Sequence, residues 1–156
     1  MAQLQALLDE YSESHQNPTN KLIHWLCVPS IVWSVIALLW VIPFPAAVGI
    51  GGYPLNWAVV VLMLAQIYYF KKSLSLGAGL LLVNLVLLWL VHWVAENVAF
   101  PLWKIGLAVF VIAWIIQFVG HEIEGKKPSF FKDVQFLLIG PAWLLSFVYR
   151  KLGLAY

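Results

Sequence analysis

The run LGAGLLLVNLVLLWLVHWVA, Leu76–Ala95, holds twenty residues without one Asp, Glu, Lys or Arg. At 1.5 Å of rise per residue, a helix of that length is about 30 Å long, the thickness of a bilayer's hydrocarbon core. Three other stretches read as spans in the same way: 22–41, closed by Pro43 and Pro45; 54–70, closed by Lys71 and Lys72; and 102–119. A last segment, 134–149, is shorter and carries Gly140 and Pro141, so it reads either as a kinked crossing or as a half-inserted span. The expected fold is all-α, an integral membrane helical bundle of four to five transmembrane helices.

Composition agrees. Of 156 residues, 63% are hydrophobic and 10% charged, whereas a soluble domain is about half apolar and a quarter charged. A single domain this short has too little interior to hide that much apolar surface, so the surface faces lipid. Nine Trp and six Tyr suit the headgroup level. A net charge of +2 gives no reason to expect nucleic acid, and the single cysteine, Cys27, has no internal disulfide partner. The first sixteen residues, MAQLQALLDEYSESHQ, lack the basic start and apolar run of a cleavable signal, so insertion is expected to rely on the internal segments.

Ahead of the first span, Leu4, Leu7, Leu8 and Tyr11 form one apolar stripe at helical spacing, opposite Gln3, Gln5, Asp9 and Glu10. Residues 1–20 thus read as a short amphipathic N-terminal helix lying on the membrane surface, followed by a turn. The helix should stop before Asn17-Pro18, with Thr19 or Asn20 capping the next one. Alternate crossings put Lys21, Lys71, Lys72, Lys126, Lys127 and Lys132 on one side and Lys104, Arg150 and Lys151 on the other. The positive-inside rule makes the first side cytoplasmic.

The same crossings bring His15, His24 and His121 to that face and send His92 about 25 Å away, to the opposite one. A histidine in a span needs a partner or a polar cavity, and neutral imidazole is the commonest ligand for a transition metal. If the helix carrying His121 continues to Gly125, Gln117 and Glu124 share its face, with Glu124 either a carboxylate ligand or a group that orients an imidazole. Cys27, at i+3 from His24, reads as a small packing residue. Lys126 and Lys127 read as solvated loop charges that also have the chemistry to meet an acidic head group. Asn84 reads as an interhelical hydrogen-bonding group. No phosphate-cradling glycine loop, GxSxG elbow, HExxH or HxxHH cluster is present. The residues by themselves leave several readings open: a transition-metal site, a zinc or haem protein, or a non-catalytic lipid-binding bundle whose histidines only hydrogen-bond.

Two segments carry a family resemblance. YSESHQNPTNKLIHWLCVP (Tyr11–Pro29) and WIIQFVGHEIEGKKP (Trp114–Pro128), with Gly140-Pro141 as a closing motif, resemble the Mpo1-like family over essentially the whole chain. That resemblance implies an iron(II)-dependent dioxygenase of a bacterial inner membrane or the endoplasmic reticulum, whose metal the charge count would place at the cytoplasmic face. It would carry out α-oxidation of a 2-hydroxy fatty acid with O2, shortening the chain by one carbon. The family's histidines match His15, His24 and His121, giving an expected Fe2+ site of those three with Glu124 as fourth ligand or supporting group. Gln117, Asn20, Lys21 and Lys127 are the candidates for meeting the substrate. Cys27 departs from the family pattern, where many relatives have glycine. The implied chemistry suits the residue types: three protein ligands leave positions for the hydroxyl and carboxylate of a 2-hydroxy acid and for dioxygen.

Overall fold

The structure, a computed structural model, describes residues 2–45, 49–50, 53–128 and 135–156. Lys132, Val134 and parts of the loops 43–54 and 120–133 lie outside the described residues. Six helices follow in order: α1 (Ala2–Ser12), α2 (Pro18–Trp40), α3 (Trp57–Lys72), α4 (Leu74–Asn97), α5 (Leu102–Glu124) and α6 (Phe136–Lys151). Between α2 and α3, the two-residue strands β1 (Gly49–Ile50) and β2 (Tyr53–Pro54) pair antiparallel. The all-helical expectation is met, but the number of spans is not. Among the described residues three helices, α2, α4 and α5, are long and apolar enough to cross a membrane, fewer than the four to five expected. At 16 residues each, α3 and α6 are about 24 Å long and fall short of the hydrocarbon core.

Local chemistry sets the helix ends. Asn17, not Thr19 or Asn20, caps α2: its side chain accepts from the Thr19 amide at 2.9 Å, and Pro18 occupies the first turn, where its missing N–H costs nothing. Asn56 and Ser73 cap α3 and α4 by accepting from Val59 and Leu76. Helix α5 runs past 119 to Glu124 and stops at Gly125, whose φ of 71° is left-handed and suits a residue without a Cβ.

The most extensive helix contact is between α2 and the antiparallel α5. On α5, Gly106, Ala113 and Gly120 are buried at seven-residue spacing. A Cβ on Gly106 would lie 3.2 Å from the Ala37 Cβ, and one on Gly120 would strike the Asn20 side chain. Small residues let two backbones approach, the usual basis of helix pairing in lipid. Away from this seam the helices present apolar side chains outward: Leu82, Val86 and Trp89 on α4 and Ile112, Ile115 and Val119 on α5 are exposed.

Helix α3 carries the chain back from the Trp40 end, where Ala58 packs with Ala37 and Val91, to the α1 end, where Lys72 reaches the Gln3 side chain. Asn84 of α4 meets Gln66 of α3 at 3.5 Å, the interhelical contact expected of it. Helix α6 does not follow the expected alternation. Its start is held by Tyr69, whose hydroxyl donates to the Leu138 carbonyl, and its end by Tyr149, whose hydroxyl donates to the Ser75 carbonyl at the beginning of α4. Both ends of α6 therefore lie at the same end of the bundle, and Arg150 and Lys151 join Lys71 and Lys72 rather than Lys104. Helix α1 rests on α6: Leu4, Leu8 and Tyr11 are buried with Ile139 and Trp143. Its apolar stripe is covered by protein, where the sequence suggested lipid.

Single-cysteine labelling in sealed vesicles checks this arrangement, since Cys27 is buried. Lys72→Cys and Lys151→Cys are expected to react with an impermeant thiol reagent from one side and Lys104→Cys from the other; reaction of Lys151→Cys on the Lys104 side would refute the non-crossing α6.

Candidate metal centre

Three imidazoles converge where α1, α2 and α5 meet. One ligand atom from each of His15, His24 and His121 lies within 4.8 Å of the others, and all three residues are buried. The ring centroids are 4.3 Å apart for His15 and His24, and 5.0 Å for either with His121. His92 lies at the opposite end, 5.8 Å from the Trp40 ring, as expected.

The hydrogen bonds fix what the rings present. His15 Nδ1 is 2.6 Å from the Tyr11 carbonyl and His24 Nδ1 is 2.9 Å from the Asn20 carbonyl. A carbonyl only accepts, so each Nδ1 carries its proton and donates it. Each Nε2 is then an unprotonated lone pair, and the two stand 3.0 Å apart. Two lone pairs facing each other in a buried site are a donor pair that could hold a cation. His121 Nδ1 is also buried without a hydrogen-bond partner among the described residues. Neutral, backbone-oriented imidazoles with free lone pairs are the donor set that suits a divalent transition metal.

His15 comes from the turn after α1 and is held by packing. Tyr11 stacks on it at 4.1 Å with 10° between the planes, and Trp143 of α6 packs beside both rings, 5.2 Å from His15 and 5.3 Å from Tyr11. The Trp143 indole donates to Ser12 Oγ at 2.7 Å, which ties α6 to the end of α1. Burial, reinforced by the charge His24 would carry, lowers the His15 pKa to about 3, so it is neutral and able to ligate at any ordinary pH. The Tyr11 phenol is pushed up by burial and stays protonated.

Glu124 is placed differently from His121, although both lie on one face of α5. One of its carboxylate oxygens accepts from the Gln16 amide at 2.8 Å; the other accepts from the Asn17 amide at 2.8 Å and from Asn20 Nδ2 at 3.1 Å. Its acceptors are thus spent on the turn that carries His15, and it lies outside the three-ligand cluster. Asn20, wholly buried, bridges the Ser14 carbonyl and Glu124, so it braces the turn instead of facing open space. Lys21 lines neither of the cavities beside the histidines.

A cavity of about 50 Å³ adjoins the histidines, bounded by Gln117 and by apolar residues such as Val28, Ile31 and Phe118. A wider recess of about 500 Å³ opens on His121 and is lined by Glu122, Lys126 and Lys127. Lys126 Nζ donates to the Glu13 carbonyl at 2.7 Å, and both Lys126 and Lys127 are exposed. Sequence reasoning passed over Gly120 and Trp143 as site-building residues. The seven-residue spacing of Gly106, Ala113 and Gly120 was a readable signal for the first; nothing local marked the second.

Fold and site together define a helical protein with membrane-length helices and a buried tri-histidine centre at one end of its bundle. The model of a family described as 2-hydroxy-palmitic acid dioxygenase Mpo1-like matches residues 1–152. The chain is also 32% identical over 155 residues to 2-hydroxy-palmitic acid dioxygenase MPO1 of Saccharomyces cerevisiae, covering 96% of this chain and 82% of that protein. This chain belongs to the Mpo1-like family. No solved structure matches it.

Two predictions follow from the geometry. Glu124→Ala leaves the Gln16 and Asn17 amides without acceptors, so their hydrogen exchange should quicken about tenfold or more while that of α4 is unchanged; unaltered exchange at 16–17 would remove Glu124's bracing role. The second concerns pH. The unfolded chain binds a proton at His15 near pH 6.5, which the folded chain refuses until about 3. Stability is therefore full above pH 6.5 and falls as pH drops through that window, by up to about 1.4 kcal/mol per pH unit. Unfolding of metal-free protein in detergent between pH 7 and 4 measures the slope, which His15→Asn should flatten.

Proposed function

We propose that this protein is an iron(II)-dependent dioxygenase that carries out α-oxidation of a 2-hydroxy fatty acid, returning a fatty acid one carbon shorter. The observation that carries this reading is the pair of facing Nε2 lone pairs, 3.0 Å apart, with both Nδ1 protons committed to backbone carbonyls. Family membership supplies the reaction class: the yeast relative is named for 2-hydroxy-palmitic acid.

In this reading His15, His24 and His121 hold Fe2+, and Glu124 supports His15 through the turn. Fe2+ held by these residues would supply the redox chemistry by which dioxygen cleaves the bond between carbons 1 and 2 of the 2-hydroxy acid. The protein's own contributions are positional. The Tyr11 and Asn20 carbonyls fix the ring orientations of His15 and His24. Gln117, one turn below His121 on α5, lines the cavity and is set to hydrogen-bond the substrate's polar head. Val28, Ile31 and Phe118 keep bulk water from the reacting carbon. Lys127, at the rim of the outer recess, would attract the carboxylate as it arrives. Lys21, Lys71, Lys72, Lys126, Lys127, Arg150 and Lys151 share the histidine end, opposite Lys104, so the positive-inside rule puts the centre at the cytoplasmic face.

Purified protein loaded anaerobically with iron(II) and then given oxygen and 2-hydroxypalmitate is expected to release the chain-shortened acid, followed by mass spectrometry. His24→Ala and His121→Ala should each lose bound iron and at least about a hundredfold of the rate. Stoichiometric zinc or a haem Soret band in the purified protein, or no product from folded and iron-loaded protein, would overturn the assignment.

A further inference from the structure

The cavity at the histidines has room for about three or four water-sized groups at most, given its 50 Å³. A polar head fits there, but an acyl tail does not. Leaving that tail in water would forfeit about 0.8 kcal/mol per methylene, so the polar outer recess is a poor place for it. A second cavity, of about 170 Å³, lies between α2, α4 and α6. Its lining is apolar except for Asn84, and it follows α4 from Leu80 to Leu87, about 10 Å along the helix axis.

The two cavities share a wall. Val28 and Val32 line both, while the neighbouring residues Gly140 and Pro141 line one each: Gly140 the histidine cavity and Pro141 the groove. A Cβ on Gly140 would stand 3.1 Å from the Tyr11 hydroxyl and 3.6 Å from a Val28 methyl, filling the gap between them. Both helices that flank this point carry an internal proline, Pro29 in α2 and Pro141 in α6, and a proline within a helix removes a main-chain hydrogen bond there.

Building on the dioxygenase reading above, we propose that the α2–α4–α6 groove is the binding site for the substrate's acyl tail. Gly140 and Val28 form the passage from the histidines, and Leu144 with Leu80 sets the length of tail accepted. The occupant is the tail of a 2-hydroxy acid whose head lies at the histidines, not a bilayer lipid, because the groove adjoins that cavity across the shared valines.

The test does not require turnover. Full-length protein in detergent is photolabelled with 2-hydroxyhexadecanoic acid bearing a diazirine at the far end of its chain, and adducts are mapped by mass spectrometry. Adducts are expected within 80–87 and 141–148, displaced by unlabelled 2-hydroxypalmitate but not by an equal excess of phospholipid, and reduced about tenfold or more in Gly140→Leu. Adducts confined to 122–128, or displacement by phospholipid as effective as by the hydroxy acid, would overturn the proposal. Should Gly140→Leu fail to fold, Leu144→Trp serves: it should lower the ratio of sixteen- to eight-carbon turnover about tenfold, and an unchanged ratio counts against the groove. Absence of turnover in every protein with groove labelling intact would instead indict the dioxygenase reading.

Discussion

Gly120 faces Asn20 across the α2–α5 seam so closely that no side chain fits between them. The centre depends on that approach. With α5 against α2, His121 comes within ligating distance of His24, and Glu124, one turn further on, reaches the amides of the turn that precedes α2. A bulkier residue at 120 would have to displace the Asn20 side chain or widen the seam. In lipid the seam has little hydrophobic driving force, since a methylene is equally at ease among acyl chains. Close van der Waals packing of small residues and the buried polar network at one end take its place.

That network concentrates cost as well as function. His15, Asn20 and His24 are almost wholly buried, and a buried polar atom without a partner is expensive. Most are satisfied by backbone groups or by Glu124. Among the described residues the exceptions in this network include the lone pairs that face one another, the His121 Nδ1 and the Asn20 Oδ1. Three buried imidazoles this close could hold a metal ion, and an ion bound there would stabilise the local fold. Helices α1 and α6 close the centre from outside, with Tyr11 and Trp143 packed against each other and against the His15 ring.

The sequence supported the helical class, the three long spans and the grouping of His15, His24 and His121 apart from His92. Hydropathy and helical rise are enough for each of these, because they depend on counting residues along one axis. The errors arose where tertiary contacts decided. The segments 54–70 and 134–149 are as apolar as a span, yet α6 is turned along one end of the bundle by Tyr69 and Tyr149, each bonded to a main-chain carbonyl of another helix. The α1 stripe is equally suited to lipid and to protein, and periodicity does not tell the two apart.

The sequence by itself determined that this chain belongs among membrane-length helices and that its histidines gather at one end, because length and polarity along a helix fix depth. Only the tertiary structure decided what each polar group does. Glu124 braces a turn instead of joining the ligand cluster, Asn20 links that turn to Glu124, and the valines at 28 and 32 stand between two cavities. Spacing puts a residue on a helix face; what that face meets depends on which helices pack against it and how closely, and those contacts join residues more than a hundred positions apart.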